Sequence, residues 1–189
     1  MIEEHVSFRA LTPADLPLMH RWLNQDHVAD WYGAGNLRRP TLEQVEKHYL
    51  PRVRGDEPTR GFVVQYEERP VGYIQMYFVD DYPENARAIE LESWTPGIDL
   101  FVGEREMLGQ GFGTAVLRAF SRELIFSDPR VTMCIVAPSP DNARAIRCYE
   151  KAGFRHLKTI DVPGAGPPGD PPKEYLMVLT RSDIVASAY

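Results

Sequence analysis

Cysteine is nearly missing from this chain, with only Cys134 and Cys148 among 189 residues. That is too few for the disulfide framework of a small secreted domain, and it suits a reducing compartment. No apolar run approaches the ~20 residues of a membrane-spanning helix, so no membrane partner is expected. The histidines His5, His20, His27, His48 and His156 show no zinc-ligand spacing, and no metal is expected. Basic charge is in deficit: 21 Lys and Arg stand against 27 Asp and Glu, for a net charge of −6. The deficit argues against a nucleic-acid partner and leaves room for a cationic ligand. The segment Met1-Ile2-Glu3-Glu4-His5 is acidic where a signal peptide is basic and then apolar, so a cytoplasmic location is expected. No internal repeat is visible. The composition, 43% hydrophobic and 25% charged, is that of an ordinary globular protein. The length suits a single domain over residues 1–189, given ~150 residues per domain.

The pattern along the chain alternates between helical and strand periods. Val6 to Arg9 reads as a strand, and Thr12-Pro13-Ala14-Asp15 as a helix start, with a capping hydroxyl, an early proline and an acid in the first turn. Leu16, Met19, Trp22 and Leu23 follow at helical spacing, and Gly33 and Gly35 interrupt them after Trp31-Tyr32. Pro40-Thr41 opens a second helix with Leu42, Val45 and Tyr49 on one face. Gly61–Tyr66 and Val71–Val79 form a hairpin around Glu67-Glu68-Arg69-Pro70. Residues 80–95 read as an acidic loop, and Gly97–Val102 as a strand. A helix is predicted from Phe112 to Ile125, a buried strand over Val131–Val136, and a helix capped at Ser139-Pro140 that stops at Gly153. Two strands, near Phe154–Ile160 and Tyr175–Leu179, flank a Pro/Gly-rich loop. This order predicts an α/β (mixed α+β) fold, a mixed sheet with helices packed on it.

Two segments carry chemistry. Gly109-Gln110-Gly111-Phe112-Gly113-Thr114 lies between a strand and a helix. Glycines admit close backbone approach, and a helix N-terminus turns amide N–H groups toward an anion. A plain strand-to-helix turn has the same composition. No Gly-Lys-Ser/Thr follows, so it is not a P-loop, and Thr114 breaks dinucleotide spacing. In the second segment, Asn142 and Tyr149 are seven residues apart on a helix and share a face, with Ala145 and Ile146 between them. That face would offer an amide, an apolar patch and a phenol to an extended ligand. A capping asparagine and a core tyrosine give the same pattern.

Together these segments resemble the GNAT superfamily of N-acetyltransferases. The glycine loop is similar to its pyrophosphate loop, apart from Leu108 where Arg or Gln is usual, and Asn142…Tyr149-Glu-Lys-Ala-Gly-Phe to its cofactor-side helix. Trp22-Leu23-Asn24, Arg39-Pro40-Thr41-Leu42, Tyr49-Leu50-Pro51, Gly97-Ile98-Asp99, Phe126-Ser127-Asp128-Pro129 and Arg144–Phe154 are similar to aminoglycoside 6′-N-acetyltransferases. The similarity runs from about residue 6 to 180.

The resemblance implies the GNAT fold, a largely antiparallel mixed sheet with a splayed parallel pair, here Ile98–Val102 and Thr132–Val136. It implies acetyl-CoA as cosubstrate, its arm along Leu100, Phe101 and Val102 and its diphosphate on Gly109, Gln110, Gly111, Phe112, Gly113 and Thr114, with Asn142 and Tyr149 alongside. Backbone N–H groups near Leu100–Phe101 would stabilise the oxyanion, and Tyr149 would protonate the leaving thiolate. Asp99 would accept the amine's proton or hold its ammonium; a capping or solvated carboxylate is the other reading. Residues 80–99 hold Asp80, Asp81, Glu84, Glu90, Glu92 and Asp99 against Arg87, a field that attracts a cationic amine or simply a solvated acidic loop. Trp31, Tyr32, Tyr77, Glu84, Glu92 and Asp99 are the implied acceptor contacts, with Trp94 as a further flat wall; aromatics at such positions also serve cores. Relatives commonly carry Asp before Pro-Ser-Pro where this chain has Ala137. The expected reaction is acetyl transfer to a primary amine of a cationic small molecule, the 6′-amine of an aminoglycoside. Alternatives are a siderophore-precursor hydroxylamine, a peptide N-terminus, or a non-catalytic CoA or drug binder. Cys148 reads as a small buried thiol, and the prolines of 162–173 as a stiff surface excursion. Monomer and homodimer are equally compatible.

Overall fold

A computed structural model describes residues 2–32, 38–91, 94–162 and 172–186, and for residues 84, 85, 88, 185 and 186 the backbone alone. Among the described residues, seven strands run in the order β1-β2-β3-β4-β5-β7-β6. They are β1 (Val6–Ala10), β2 (Arg60–Tyr66), β3 (Arg69–Phe78), β4 (Pro96–Val102), β5 (Met133–Val136), β6 (Arg155–Asp161) and β7 (Lys173–Thr180). The helices are α1 (Leu16–Leu23), α2 (Asp26–Ala29), α3 (Leu42–Arg54), α4 (Pro83–Ile89), α5 (Phe112–Phe120), α6 (Ala143–Ala152) and α7 (Arg181–Ala186). Pairing is antiparallel at β1–β2, β2–β3, β5–β7 and β6–β7, and parallel at β4–β5. The mixed, largely antiparallel sheet expected from the sequence is present.

The chain divides into two compact units, residues 1–76 with 99–116 and residues 77–98 with 117–189. In the first, Leu16, Met19, Trp22 and Leu23 of α1 meet Val45 and Tyr49 of α3, with Val63, Tyr73 and Phe101 from the strands. The apolar spacing of α1 is therefore its buried face. Leu42, expected on the buried face of α3, is exposed at its first turn. Thr41 caps α3 by accepting from the Gln44 amide at 3.2 Å, and the Gln44 side chain accepts from the Thr41 amide at 2.8 Å, a reciprocal capping box. In the second unit, Val79, Ile89, Ile135, Leu176 and Val178 form a core against which Ala86, Ala137 and Ile160 pack.

Several boundaries differ from the sequence reading. Residues 80–95 are not simply a loop, because Pro83–Ile89 is helical. Proline at the first helical position starts the turn, and Ala86 and Ile89 anchor it to the core of its unit. The acidic neighbours hide this narrow apolar side. The α-helix from Phe112 stops at Phe120, and Ser121–Ile125 winds as a π-helix, a wider turn that still buries Ile125 and Phe126. Asn142, not Ser139-Pro140, caps α6, its side chain accepting from the Ala145 amide at 3.0 Å. Ser139 shapes the turn before it, its carbonyl accepting from the Asn142 amide. Strand β5 starts at Met133 rather than Val131. The hairpin turn between β2 and β3 is only Glu67-Glu68, both with positive φ. Gly33, Gly35 and the prolines 163, 167, 168 and 171 lie outside the described residues.

Candidate active site

Strands β3 and β4 set the register of the candidate site. At one end of their ladder the Gly103 amide donates to Val71 O at 2.8 Å, and at the other the Val79 amide donates to Thr95 O at 3.0 Å. Antiparallel alternation between those bonds puts Tyr73 opposite Phe101, Gln75 opposite Asp99 and Tyr77 opposite Gly97. The side chains agree. The Tyr73 and Phe101 rings lie 5.6 Å apart, Gln75 Nε2 donates to Asp99 Oδ2 at 2.7 Å, and Tyr77 lies over Gly97, where a Cβ would meet its ring at 2.6 Å. The same alternation turns the Asp99 and Phe101 amides toward β3 and those of Leu100 and Val102 away from it. Of the Leu100–Phe101 amides expected at the oxyanion, Leu100 alone is so oriented. The Val102 carbonyl meets His27 Nε2 at 3.0 Å.

Around Asp99 the first unit gathers aromatic rings and one cation. Tyr32 packs edge-on against Phe101 at 4.7 Å, and Tyr49 against Tyr73 at 5.6 Å. Arg52 lies 5.3 Å over the Tyr49 ring, and its Nη1 donates to Gln75 Oε1 at 2.8 Å. The Tyr73 hydroxyl donates to the same oxygen at 2.9 Å. Burial pushes the Asp99 carboxyl above its ordinary range, opposed by the Gln75 hydrogen bond and the Arg52 charge. Burial also raises the three phenols, Tyr49 to about 12 and Tyr32 and Tyr73 well above the ordinary phenol value. They are therefore neutral hydroxyls around a carboxylate, a recess whose chemistry favours a cation.

The glycine loop belongs to the same unit. Gly109 and Gly111 adopt φ of +79° and +82° with open space where a Cβ would stand. The left-handed backbone, rather than crowding, demands glycine there. At the start of α5 the Ala115 amide donates to Gly111 O at 3.1 Å. The amides of Phe112, Gly113 and Thr114 precede it, in the place where a helix receives an anion. The Phe112 side chain is buried against Tyr66 at 5.7 Å, so its contribution is backbone. Glu104 holds the stem of the loop, accepting from Arg21 and from the Trp22 indole. Arg69 pairs with Glu106, and Gln110 Nε2 donates to Glu106 O at 2.5 Å.

In the second unit β4 pairs with β5 at one register, Gly97 opposite Ile135. A strand with so short a ladder on one side keeps backbone groups for another extended partner. Tyr149 is buried on α6, its ring 5.8 Å from Phe154. Asn142 Oδ1 is committed to the helix cap, which fulfils the capping reading. Tyr77 packs edge-on against Tyr82 at 5.4 Å. Ala137 packs against the apolar cluster that includes Val79, Ile89 and Leu176.

Comparison with known proteins settles the kinship of this arrangement. The acetyltransferase (GNAT) domain family matches residues 12–162. The chain belongs to the GNAT acetyltransferases. It is 39% identical over 178 residues, 94% of this chain and 84% of the relative, to aminoglycoside N(6′)-acetyltransferase type 1 of Klebsiella pneumoniae. It is 29% identical over 167 residues, 86% of this chain and 50% of the relative, to N(6)-hydroxylysine O-acetyltransferase of Escherichia coli. The crystal structure of aminoglycoside acetyltransferase AAC(6′)-Ib with coenzyme A and kanamycin matches at 35% identity with a TM-score of 0.84, covering 97% of this chain and 99% of that one.

In this acetyltransferase the residues expected at the acceptor are only partly gathered. Tyr32 and Asp99 share the cluster around Phe101, and Tyr77 stands on the strand opposite Gly97. Trp31 is 53% exposed, and Trp94 carries the Arg130 guanidinium 4.4 Å over its ring. The Glu84 side chain and the whole of Glu92 lie outside what is described. The sequence reading missed Gln75, Arg52 and Tyr73. Gln75 was visible as a polar residue inside the apolar run Val71–Val79, and Arg52 as a cation on a helix with a buried face. Neither signal says which carboxylate they serve.

Proposed function

We propose that this acetyltransferase moves the acetyl group of acetyl-CoA to a primary amine of a cationic small molecule, the 6′-amine of an aminoglycoside. The observation that carries the reading is the Asp99 carboxylate, half-buried among neutral phenols, in a chain whose curated relative of 39% identity is an aminoglycoside N(6′)-acetyltransferase. Asp99 holds the acceptor's ammonium and takes up the proton it sheds, and a carboxyl lifted above its ordinary range is the better base. Acetyl-CoA supplies the thioester. The residues fit it: left-handed Gly109 and Gly111 and the leading amides of α5 suit a diphosphate, and the Leu100 amide donates to the carbonyl oxygen as charge develops there. Tyr149 donates a proton to the departing sulfur, a phenol of ordinary pKa about 10 to a thiolate whose acid is near 8.5. The nitrogen–carbon bond forms as the carbon–sulfur bond breaks, with no covalent enzyme intermediate.

The kinship with N(6)-hydroxylysine O-acetyltransferase supports a second reading, with a hydroxylamine as acceptor. That group is uncharged near neutral pH, so a carboxylate recess does less for it. The test is thiol release from acetyl-CoA with kanamycin, spermidine, N6-hydroxylysine and a short peptide, followed by locating the acetyl group. Kanamycin acetylated at the 6′-amine, with kcat/KM about a hundredfold above the others, is the expected result; a preference for hydroxylysine or peptide overturns it. Tyr149→Phe should lower kcat and leave the aminoglycoside KM nearly unchanged. A non-catalytic binder would release no thiol with any acceptor.

A further inference from the structure

Gln75 is a glutamine 7% exposed in the middle of a strand, and both ends of its amide are used. Its oxygen accepts from Arg52 Nη1 and the Tyr73 hydroxyl, at 2.8 and 2.9 Å, and its nitrogen donates to Asp99 Oδ2 at 2.7 Å. The orientation is not interchangeable. Flipping the amide would aim its oxygen at a carboxylate and its nitrogen at a guanidinium, which has no acceptor. A tyrosine hydroxyl alone could tolerate the flip, because it both donates and accepts. Arg52 is itself steadied by Glu57 Oε2 at 3.1 Å from its Nε. The groups that face Asp99 are Gln75 and Tyr73 from β3, Tyr49 and Arg52 from α3, and Tyr32 from the turn after α2; His48 and Glu57 act on Arg52's side of the cluster.

We infer that Gln75 is a positioning residue for acetyl transfer: it occupies Asp99 Oδ2 so that Oδ1 meets the acceptor's ammonium, and Arg52 locks the amide in the orientation that permits this. The inference rests on the reading of Asp99 as the acceptor carboxylate. It adds that carboxylate's orientation and proton affinity, which the amide controls. A hydrogen bond donated to a carboxylate favours its charged form, so loss of the donor raises the pH at which Asp99 ionises.

The test follows the Asp99 carboxyl by 13C NMR across a pH titration of the whole protein without acceptor, with Asp99→Asn to assign the signal. Gln75→Met should raise the Asp99 midpoint by about one pH unit and lower kcat/KM for kanamycin about tenfold. Arg52→Met should raise the midpoint in the same direction. Arg52→Lys, another donor with no acceptor, should restore it. The inference is overturned if the midpoint in Gln75→Met matches that of the unaltered protein, or if Arg52→Lys behaves as Arg52→Met. The Arg52 pair decides the matter if Gln75→Met does not fold. Because the titration contains no acceptor, its outcome is independent of whether kanamycin proves to be the substrate.

Discussion

Asp99, the proposed acceptor carboxylate, is a residue at which activity and stability would pull in opposite directions. Its folded-state pKa is raised by burial, so the folded protein binds its proton more readily than the unfolded chain. Its contribution is then full below the ordinary carboxylate range and is lost as the pH climbs through the raised value. Asp99→Asn removes that burden and still offers an oxygen to Gln75. The substitution should raise Tm at pH 8, by roughly 2–4 °C per kcal/mol for a chain of this size. Acetyl transfer should fall about a hundredfold or more. Thermal scans at pH 8 and at pH 4 check it: the gain should shrink at the lower pH, and a lower Tm at pH 8 would contradict the account. Asp99 was legible because Gly97-Ile98-Asp99 resembles a motif of the aminoglycoside 6′-N-acetyltransferases, and it stands in the middle of β4. Gln75 and Arg52 were not, since their importance comes from a cross-strand register and a helix contact that no local pattern records.

At the scale of elements, the β2–β3 turn is strained in a way the sequence disguises. Glu67 and Glu68 have φ of 49° and 66°, the twist that two-residue hairpins require and that Asn-Gly adopts more easily. A side chain in the left-handed region costs roughly 1–2 kcal/mol. Replacing the pair by Asn-Gly should raise the urea midpoint with an unchanged m-value. The cost is confined to the weak 3.8 Å contact of Glu67 with His5. Local pattern reading found the hairpin, yet spread its turn over four residues because no glycine marked the two that bend. Helix α4 was hidden for a related reason. Acidic density from Asp80 to Glu92 reads as solvated loop, while the signals that matter there, Pro83 and the spacing of Ala86 with Ile89, are sparse. The α6 cap was misplaced by three residues because Ser139, Asp141 and Asn142 are all capping types, and only the fold chooses among them.

For the molecule as a whole, the fall in stability toward acid follows from a half-buried histidine and a buried aspartate. Burial and the Arg52 charge lower His48 from 6.5 to about 4. The unfolded chain therefore takes up a proton between those values that the folded protein refuses, and stability declines as the pH drops through that window. Asp15 resists burial through hydrogen bonds from Arg9 and Thr12, which bring it from 3.8 to about 2. Its contribution is present above 3.8 and disappears toward 2. The urea midpoint should fall from pH 7 to pH 4 and again below it. In His48→Gln the first decline should be shallower and the second retained, which a series of denaturation curves at pH 7, 5.5, 4 and 3 would read directly. The architecture was legible at this scale because the order of periods, from β1 through the two final strands, is written along the whole chain. The acceptor end was less so: its acids depend on which face each residue takes, and Ala137, flagged by its chemistry, turns inward to apolar neighbours.

Glu104 joins the α1 helix to the glycine bend, one of its oxygens receiving both the Arg21 guanidinium and the Trp22 indole. A bend anchored at its root has already surrendered most of the wandering that docking would otherwise take from it, so more of the attraction to an incoming diphosphate survives as affinity. The tryptophan that fills the heart of one core thus also steadies the bend to which the proposed function assigns the nucleotide.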